Sequence, residues 1–165
     1  LKRGIIYFMP TPRLKAGFMK FDPARIPPEN FRQAAALSTC QEWAEEVPLE
    51  ALPRLDAIVA GSVAVTRTGK RCGKGEGYSD IEFAILRELG HPPVPVATTV
   101  HSVQLVDDFP RDDIDLPLSV VVTPEEVVTV ANPFPAPEGI AWDRLTDQDL
   151  DDMPVLRDLQ ALQKR

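Results

Sequence analysis

The sequence predicts an α/β domain with a mostly parallel sheet. Short apolar runs rich in β-branched residues recur along the chain, the best formed being residues 55–65, 94–100 and 118–122. An amphipathic stretch over residues 79–89 separates the first two and carries clear start and stop signals. Helices placed between strands supply the long crossovers that parallel strands require.

Composition sets the outer bounds. A chain of 165 residues fits one domain, 1–165, and can bury a core without disulfide staples. Hydrophobic residues make up 44% and charged residues 26%, the balance of an ordinary globular protein, and no apolar run reaches membrane-spanning length. The formal net charge of −7 argues against nucleic acid as the main partner, because a phosphate backbone needs a basic footprint. A local basic site for a small anion remains compatible with it. Cys40 and Cys72 match no metal spacing and read as reduced thiols of a cytoplasmic protein. The start, Leu1 to Tyr7, lacks a Met, is too short for a signal peptide and reads as a chain beginning in mid-domain. The sequence leaves the oligomeric state open.

Each element follows from local chemistry. Ile5-Ile6-Tyr7-Phe8-Met9, ended by Pro10, is expected as a buried strand. Prolines break residues 11–28, and residues 30–46 are expected as a helix carrying Phe31, Ala34, Ala35 and Trp43. Leu55 to Val65 reads as a strand with a bend at Gly61-Ser62. The helix from Ser79 to Leu89 opens on a capping-box pattern, Ser79 with Glu82, and stops at Gly90-His91-Pro92-Pro93. Ile81, Ile85, Leu86 and Leu89 form its inward stripe. Strands follow at Val94 to Val100 and Leu118 to Val122, and Thr123-Pro124-Glu125-Glu126 suits a short helical turn. A proline-rich loop and short helices from Asp143 complete the chain.

The segment richest in chemistry is Arg71-Cys72-Gly73-Lys74-Gly75-Glu76-Gly77-Tyr78-Ser79-Asp80. Glycines let a backbone approach a ligand closely, and the helix that follows offers unpaired N–H groups and a positive dipole end. With Arg71 and Lys74 added, this is a physical recipe for holding phosphate. Spacing rejects two common phosphate loops. Gly69 to Gly73 is one residue short for a P-loop, and Gly75 stands where its hydroxyl should be. Gly73, Gly75 and Gly77 give G-x-G-x-G rather than the G-x-G-x-x-G of a dinucleotide fold. A plain surface turn would not explain two cations, three glycines and a helix start converging in ten residues.

The glycine run, placed after LDAIVAGSVAVTRTG, resembles the nucleotide-binding signature of the 5-formyltetrahydrofolate cyclo-ligases. His101 to Val106 and Asp115 to Pro124 resemble that family's next strand regions. Tyr7 to Leu14, Gly17-Phe18, Gly139 to Asp143 and Met153 to Arg157 are similar to its divergent methenyltetrahydrofolate synthetase domain-containing branch. The resemblance implies a three-layer α/β/α fold of the NagB/RpiA/CoA-transferase group. It also implies ATP- and Mg²⁺-dependent closure of 5-formyltetrahydrofolate to 5,10-methenyltetrahydrofolate. Under it, Arg71, Gly73, Lys74, Gly75, Glu76, Gly77, Tyr78 and Ser79 would wrap the ATP phosphates. Residues 74–78 would also border the reduced folate, with Lys74 and Tyr78 as the catalytic residues and Asp80 and Asp115 as magnesium carboxylates. Duller roles stand beside these. Asp80 suits a helix first turn, Asp115 sits in a solvated acidic run, His101 suits a strand end, and Trp43 and Trp142 suit packing.

The chain departs from the family pattern at several places. Ser79 replaces a Tyr, Ile81 an Arg and Thr66 an Asp, and the Glu-Pro folate motif has no clear match. The family's N-terminal helix-strand portion has no counterpart, which would leave a sheet edge uncovered. The expectation is therefore a cyclo-ligase, or a non-catalytic nucleotide- or folate-binding domain of the same fold, with a purely structural module as a third reading.

Overall fold

The computed structural model describes residues 1–164, and the chain divides into two compact units. One is residues 1–52 with the C-terminal stretch from Leu145; the other is Pro53–Arg144. In chain order the strands are β1 (Tyr7–Pro10), β2 (Phe18–Phe21), β3 (Glu45–Val47), β4 (Ile58–Val59), β5 (Ala64–Val65), β6 (Arg71–Cys72), β7 (Val96–Thr99), β8 (Val120–Val122) and β9 (Val127–Thr129). The helices are α1 (Phe31–Ala34), α2 (Tyr78–Glu88), α3 (Asp147–Asp152) and α4 (Val155–Gln163). None of the described helices is long and apolar enough to cross a membrane.

The first unit is built on an antiparallel sheet in the order β1-β2-β3, with Tyr7 opposite Phe21 and Phe18 opposite Val47. The Tyr7 and Phe21 rings stack with centroids 4.5 Å apart, and Met19, Phe21, Ile26, Ala34 and Cys40 form the core beneath. The apolar run expected as a buried strand begins later than its sequence suggests. Ile5 and Ile6 are exposed, and Pro10 is the last strand residue, tolerated because β1 is a sheet edge. The helix expected over residues 30–46 stops after four residues at Ala34. The Thr39 hydroxyl donates to the Gln33 carbonyl at 2.7 Å, offering that carbonyl a side-chain partner in place of the helix ladder. A 3₁₀ turn at Cys40–Trp43 and strand β3 take up the rest. Val155, Leu156 and Leu159 of α4 are buried, and the helix packs on the turn Leu49–Ala51.

The second unit carries a mixed sheet in the order β4-β7-β8-β9. β4, β7 and β8 run parallel, as the sequence implies, while β9 returns antiparallel to β8. Ala60, Val65, Phe83, Val96, Val100, Leu116, Leu118 and Val121 make its core. The run 55–65 is two strands, not one: the bend at Gly61-Ser62 ends β4, and β5 pairs antiparallel with β6, Val65 opposite Arg71. Thr123 does not start a helical turn. Its hydroxyl oxygen accepts the N–H groups of Glu125 and Glu126 at 3.2 and 3.1 Å, turning the chain into β9. The capping box at Ser79 is also absent, because α2 begins one residue earlier, at Tyr78, with Gly77 as its N-cap and no side-chain cap.

Candidate functional site

A cleft of about 680 Å³ opens in the second unit. Gly61-Ser62-Val63, just past β4, form one wall; the glycine run and the first turn of α2 form another. Phe109, Pro110 and Asp115 complete it. The ten residues that the sequence reading assigned to ATP, folate and magnesium line this one cleft: Arg71, Gly73, Lys74, Gly75, Glu76, Gly77, Tyr78, Ser79, Asp80 and Asp115.

The β5–β6 hairpin delivers the run. Its turn is tied by the Gly69 N–H to the Thr66 carbonyl at 3.1 Å and by the Lys70 N–H to the Thr66 hydroxyl at 3.1 Å. After β6 the chain swings over to α2 through Gly77, whose φ of +70° is left-handed and costs glycine little. The Gly77 carbonyl accepts the N–H groups of Asp80 and Ile81 at 3.1 and 3.0 Å. The N–H groups of Tyr78 and Ser79 precede any acceptor within α2, so they and the helix dipole face the cleft end of the element. Lys74 is exposed in the loop between.

Beneath the loop the electrostatics are internal. Arg71 is buried, with Nε donating to the Gly61 carbonyl at 2.9 Å and Nη1 standing 3.6 Å from Asp80 Oδ1. Gly73 passes directly over the guanidinium: a Cβ there would lie 3.0 Å from Nη2, so a larger residue would push on the cation. Asp80 Oδ1 also accepts the Leu116 N–H at 3.0 Å. Burial raises the Asp80 pKa, and Asp115 adds to the rise, while the Leu116 N–H and Arg71 oppose it. Glu82, two residues along the chain, is pushed up to about 7 by burial, held back by Arg71 and raised further by Asp80.

Asp115 is partly engaged. Its Oδ2 accepts the Asp112 N–H at 2.8 Å, and its carbonyl accepts from Arg111 at 2.9 Å. Among the described residues no group of three or more His, Cys, Asp or Glu side chains gathers as a metal cage. Asp80 and Asp115 on one cleft instead form a two-carboxylate set, which suits a hard cation that completes its shell with phosphate and water.

Other sequence candidates lie elsewhere. His101 caps the turn Ser102–Gln104, Trp142 Nε1 donates to Glu88 at 3.4 Å, and Trp43 packs on the first unit's core. Sequence reasoning missed Ser62 and Phe109 as residues of the cleft, and Glu82 as a buried carboxylate near Arg71. The Gly-Ser pair inside an apolar run was the available signal for Ser62; nothing local marked the other two.

The model of the 5-formyltetrahydrofolate cyclo-ligase family matches residues 1–124. The methenyltetrahydrofolate synthase domain-containing protein of Mus musculus is 38% identical over 167 residues, covering 95% of this chain and 44% of the relative. Its Homo sapiens counterpart is 34% identical over 167 residues, covering 95% and 43%. The 5-formyltetrahydrofolate cyclo-ligase of Escherichia coli (strain K12) is 37% identical over 76 residues, covering 46% of this chain and 40% of the relative. The chain thus spans less than half the length of these curated relatives.

Proposed function

The chain belongs to the 5-formyltetrahydrofolate cyclo-ligase family, and from that premise we propose that its cleft binds ATP and a reduced folate and closes 5-formyltetrahydrofolate to 5,10-methenyltetrahydrofolate. One observation carries the reading: the glycine run, the α2 N-terminus and Lys74 surround a single cleft whose other wall is a separate loop. That arrangement supplies backbone donors and a cation for phosphate on one side and room for a second ligand on the other.

In this proposal the N–H groups of the loop and of Tyr78 and Ser79 hold phosphate oxygens, and Lys74 offsets their charge. The formyl oxygen takes the terminal phosphoryl group of ATP, releasing ADP, and folate N10 then displaces phosphate to close the ring. Lys74 and Tyr78 border the reacting folate and fix its approach, which is where most of the rate advantage of a two-ligand reaction arises. Asp80 and Asp115 would hold Mg²⁺, which neutralises phosphate charge when bound. Arg71, Gly73, Gly75, Glu76 and Gly77 shape the phosphate cradle. The proposal takes residues 1–165 as one cyclo-ligase-like domain of three-layer α/β/α type, acting in cytoplasmic one-carbon metabolism.

A second reading, a non-catalytic nucleotide- or folate-binding domain, is favoured by one observation: Asp80 and Asp115 each already accept a backbone N–H. Absorbance of the methenyl product, followed with ATP, Mg²⁺ and 5-formyltetrahydrofolate, separates the two. ATP-dependent product growth supports the ligase. ATP binding by calorimetry without product supports the binding domain, and no binding of either ligand refutes both.

A further inference from the structure

The wall opposite the glycine run has a hydrogen-bond order that can be deduced atom by atom. Thr98 is fully buried, and its hydroxyl donates to the Ala60 carbonyl at 2.7 Å. A hydroxyl carries one hydrogen, so Thr98 has none left to donate. Ser62 Oγ lies 2.9 Å from Thr98 Oγ1, and in that pair Ser62 must therefore be the donor. The backbone carbonyls around it each already accept one hydrogen bond. Gly61 O accepts from Arg71 Nε, and Ser62 O and Val63 O both accept from Gln104 Nε2 at 3.0 Å. The Ser62 hydroxyl makes no other hydrogen bond among the described residues, so its lone pairs are what it offers to a molecule in the cleft.

We infer that Ser62 Oγ is a hydrogen-bond acceptor that selects an N–H or O–H donor on the bound small molecule. This rests on the reading of the cleft as a nucleotide and folate site. The two walls then have opposite preferences. The glycine run, the α2 N-terminus and Lys74 present donors and positive charge to phosphate oxygens. Ser62 presents lone pairs, which repel a phosphate oxygen and favour a sugar hydroxyl or a ring amino group. Thr98 is the positioning residue: it holds the Ser62 hydrogen away from the ligand and keeps the acceptor face outward. Donors of this kind occur on the ribose of ATP and on the pterin of a reduced folate, so each ligand is tested separately.

Calorimetry on the full chain would compare ATP, 2′-deoxy-ATP, 3′-deoxy-ATP and 5-formyltetrahydrofolate in wild type and in Ser62→Ala, Ser62→Thr, Thr98→Val and Thr98→Ser. Ser62→Ala is expected to weaken one of the two ligand classes about 3- to 10-fold, with Ser62→Thr restoring it. If the donor is on the ribose, one deoxy analogue binds wild type more weakly than ATP, and Ser62→Ala removes the difference. If it is on the pterin, only 5-formyltetrahydrofolate weakens. Thr98→Val lets the Ser62 hydrogen swing into the cleft and shrinks the same discrimination, which Thr98→Ser recovers. Unchanged affinities in Ser62→Ala, or an equal loss for both ligand classes, would overturn the inference while leaving the proposed function standing. Wild type that binds neither ligand would overturn both.

Discussion

Arg71 Nε donates to the carbonyl of Gly61 at 2.9 Å, joining the floor of the glycine run to the loop that ends β4. The same guanidinium stands 3.6 Å from Asp80 at the start of α2, so one buried cation links both walls of the cleft. Its first role is therefore architectural, whatever it later contributes to a bound phosphate.

Arg71→Gln leaves Asp80 and Glu82 without their nearby cation and Gly61 without its donor. Removal of one partner from a buried pair is expected to destabilise by about 2–4 kcal/mol. Arg71→Lys keeps the charge but loses the planar fork, and is expected to recover only part of the loss. Urea unfolding of the three proteins checks this, and a loss within experimental error in Arg71→Gln would refute the architectural role.

Lys74 presents the opposite case. It is exposed and forms no ion pair among the described residues, so Lys74→Ala is expected to leave the unfolding midpoint unchanged. Nucleotide affinity, measured by calorimetry, is expected to fall about tenfold, the scale of one charged hydrogen bond. Equal ATP affinity in both proteins would remove Lys74 from the site.

Gly77 has a φ of +70°, and a Cβ built there meets nothing within 4 Å. The cost of Gly77→Ala is thus conformational rather than steric, about 1 kcal/mol. Asn tolerates this region better, so Gly77→Asn is expected to lose less. Denaturation midpoints in the order Gly, Asn, Ala check it, and an Ala variant as stable as wild type would count against the left-handed N-cap.

His91, just beyond α2, gives the second unit an acid sensitivity. Its Nδ1 is buried with no hydrogen-bond partner among the described residues, and burial, with Arg54 nearby, holds its pKa below the usual 6.5. The folded chain resists the proton that the unfolded chain accepts. The associated stability is therefore intact above 6.5 and lost as the pH falls through that value toward the lowered one. Between about pH 7.5 and about pH 5.5, wild type is expected to lose stability relative to His91→Gln. Glu82 titrates in the opposite sense but is common to both proteins and cancels from the difference. Parallel urea-midpoint curves would refute the assignment.

The sequence made the glycine run and α2 legible because both are local. Glycine spacing, the cations and the Gly90 stop lie within twenty residues, and the apolar stripe repeats with helical period. What it hid depended on distant partners. The Ser79–Glu82 pattern looks like a cap, yet Gly77 takes that place and Glu82 is drawn inward, its pKa pushed up to about 7. The run 55–65 looks like one strand because nothing in it announces that β5 will pair with Arg71 and Cys72 instead of continuing β4. Residues 30–46 look helical because the pairing of Glu45–Val47 with β2 is a tertiary event that the local pattern does not show. The acceptor role of Ser62 needs Thr98, thirty-six positions away, to become visible at all.

Beside the earlier Gly61 carbonyl that holds Arg71, two fastenings around the glycine run come later in the chain than the run itself. Lys70 Nζ bonds Asp108 at 2.6 Å and the Phe109 carbonyl at 2.9 Å, and Asp80 waits for the Leu116 N–H. Synthesis from the N-terminus therefore makes the glycine run well before these later partners of Lys70 and Asp80. A nascent chain that ends short of residue 116 carries the glycine run without the backbone N–H that Asp80 accepts, so the start of α2 gains that tie only once the last stretch has been added and folded back.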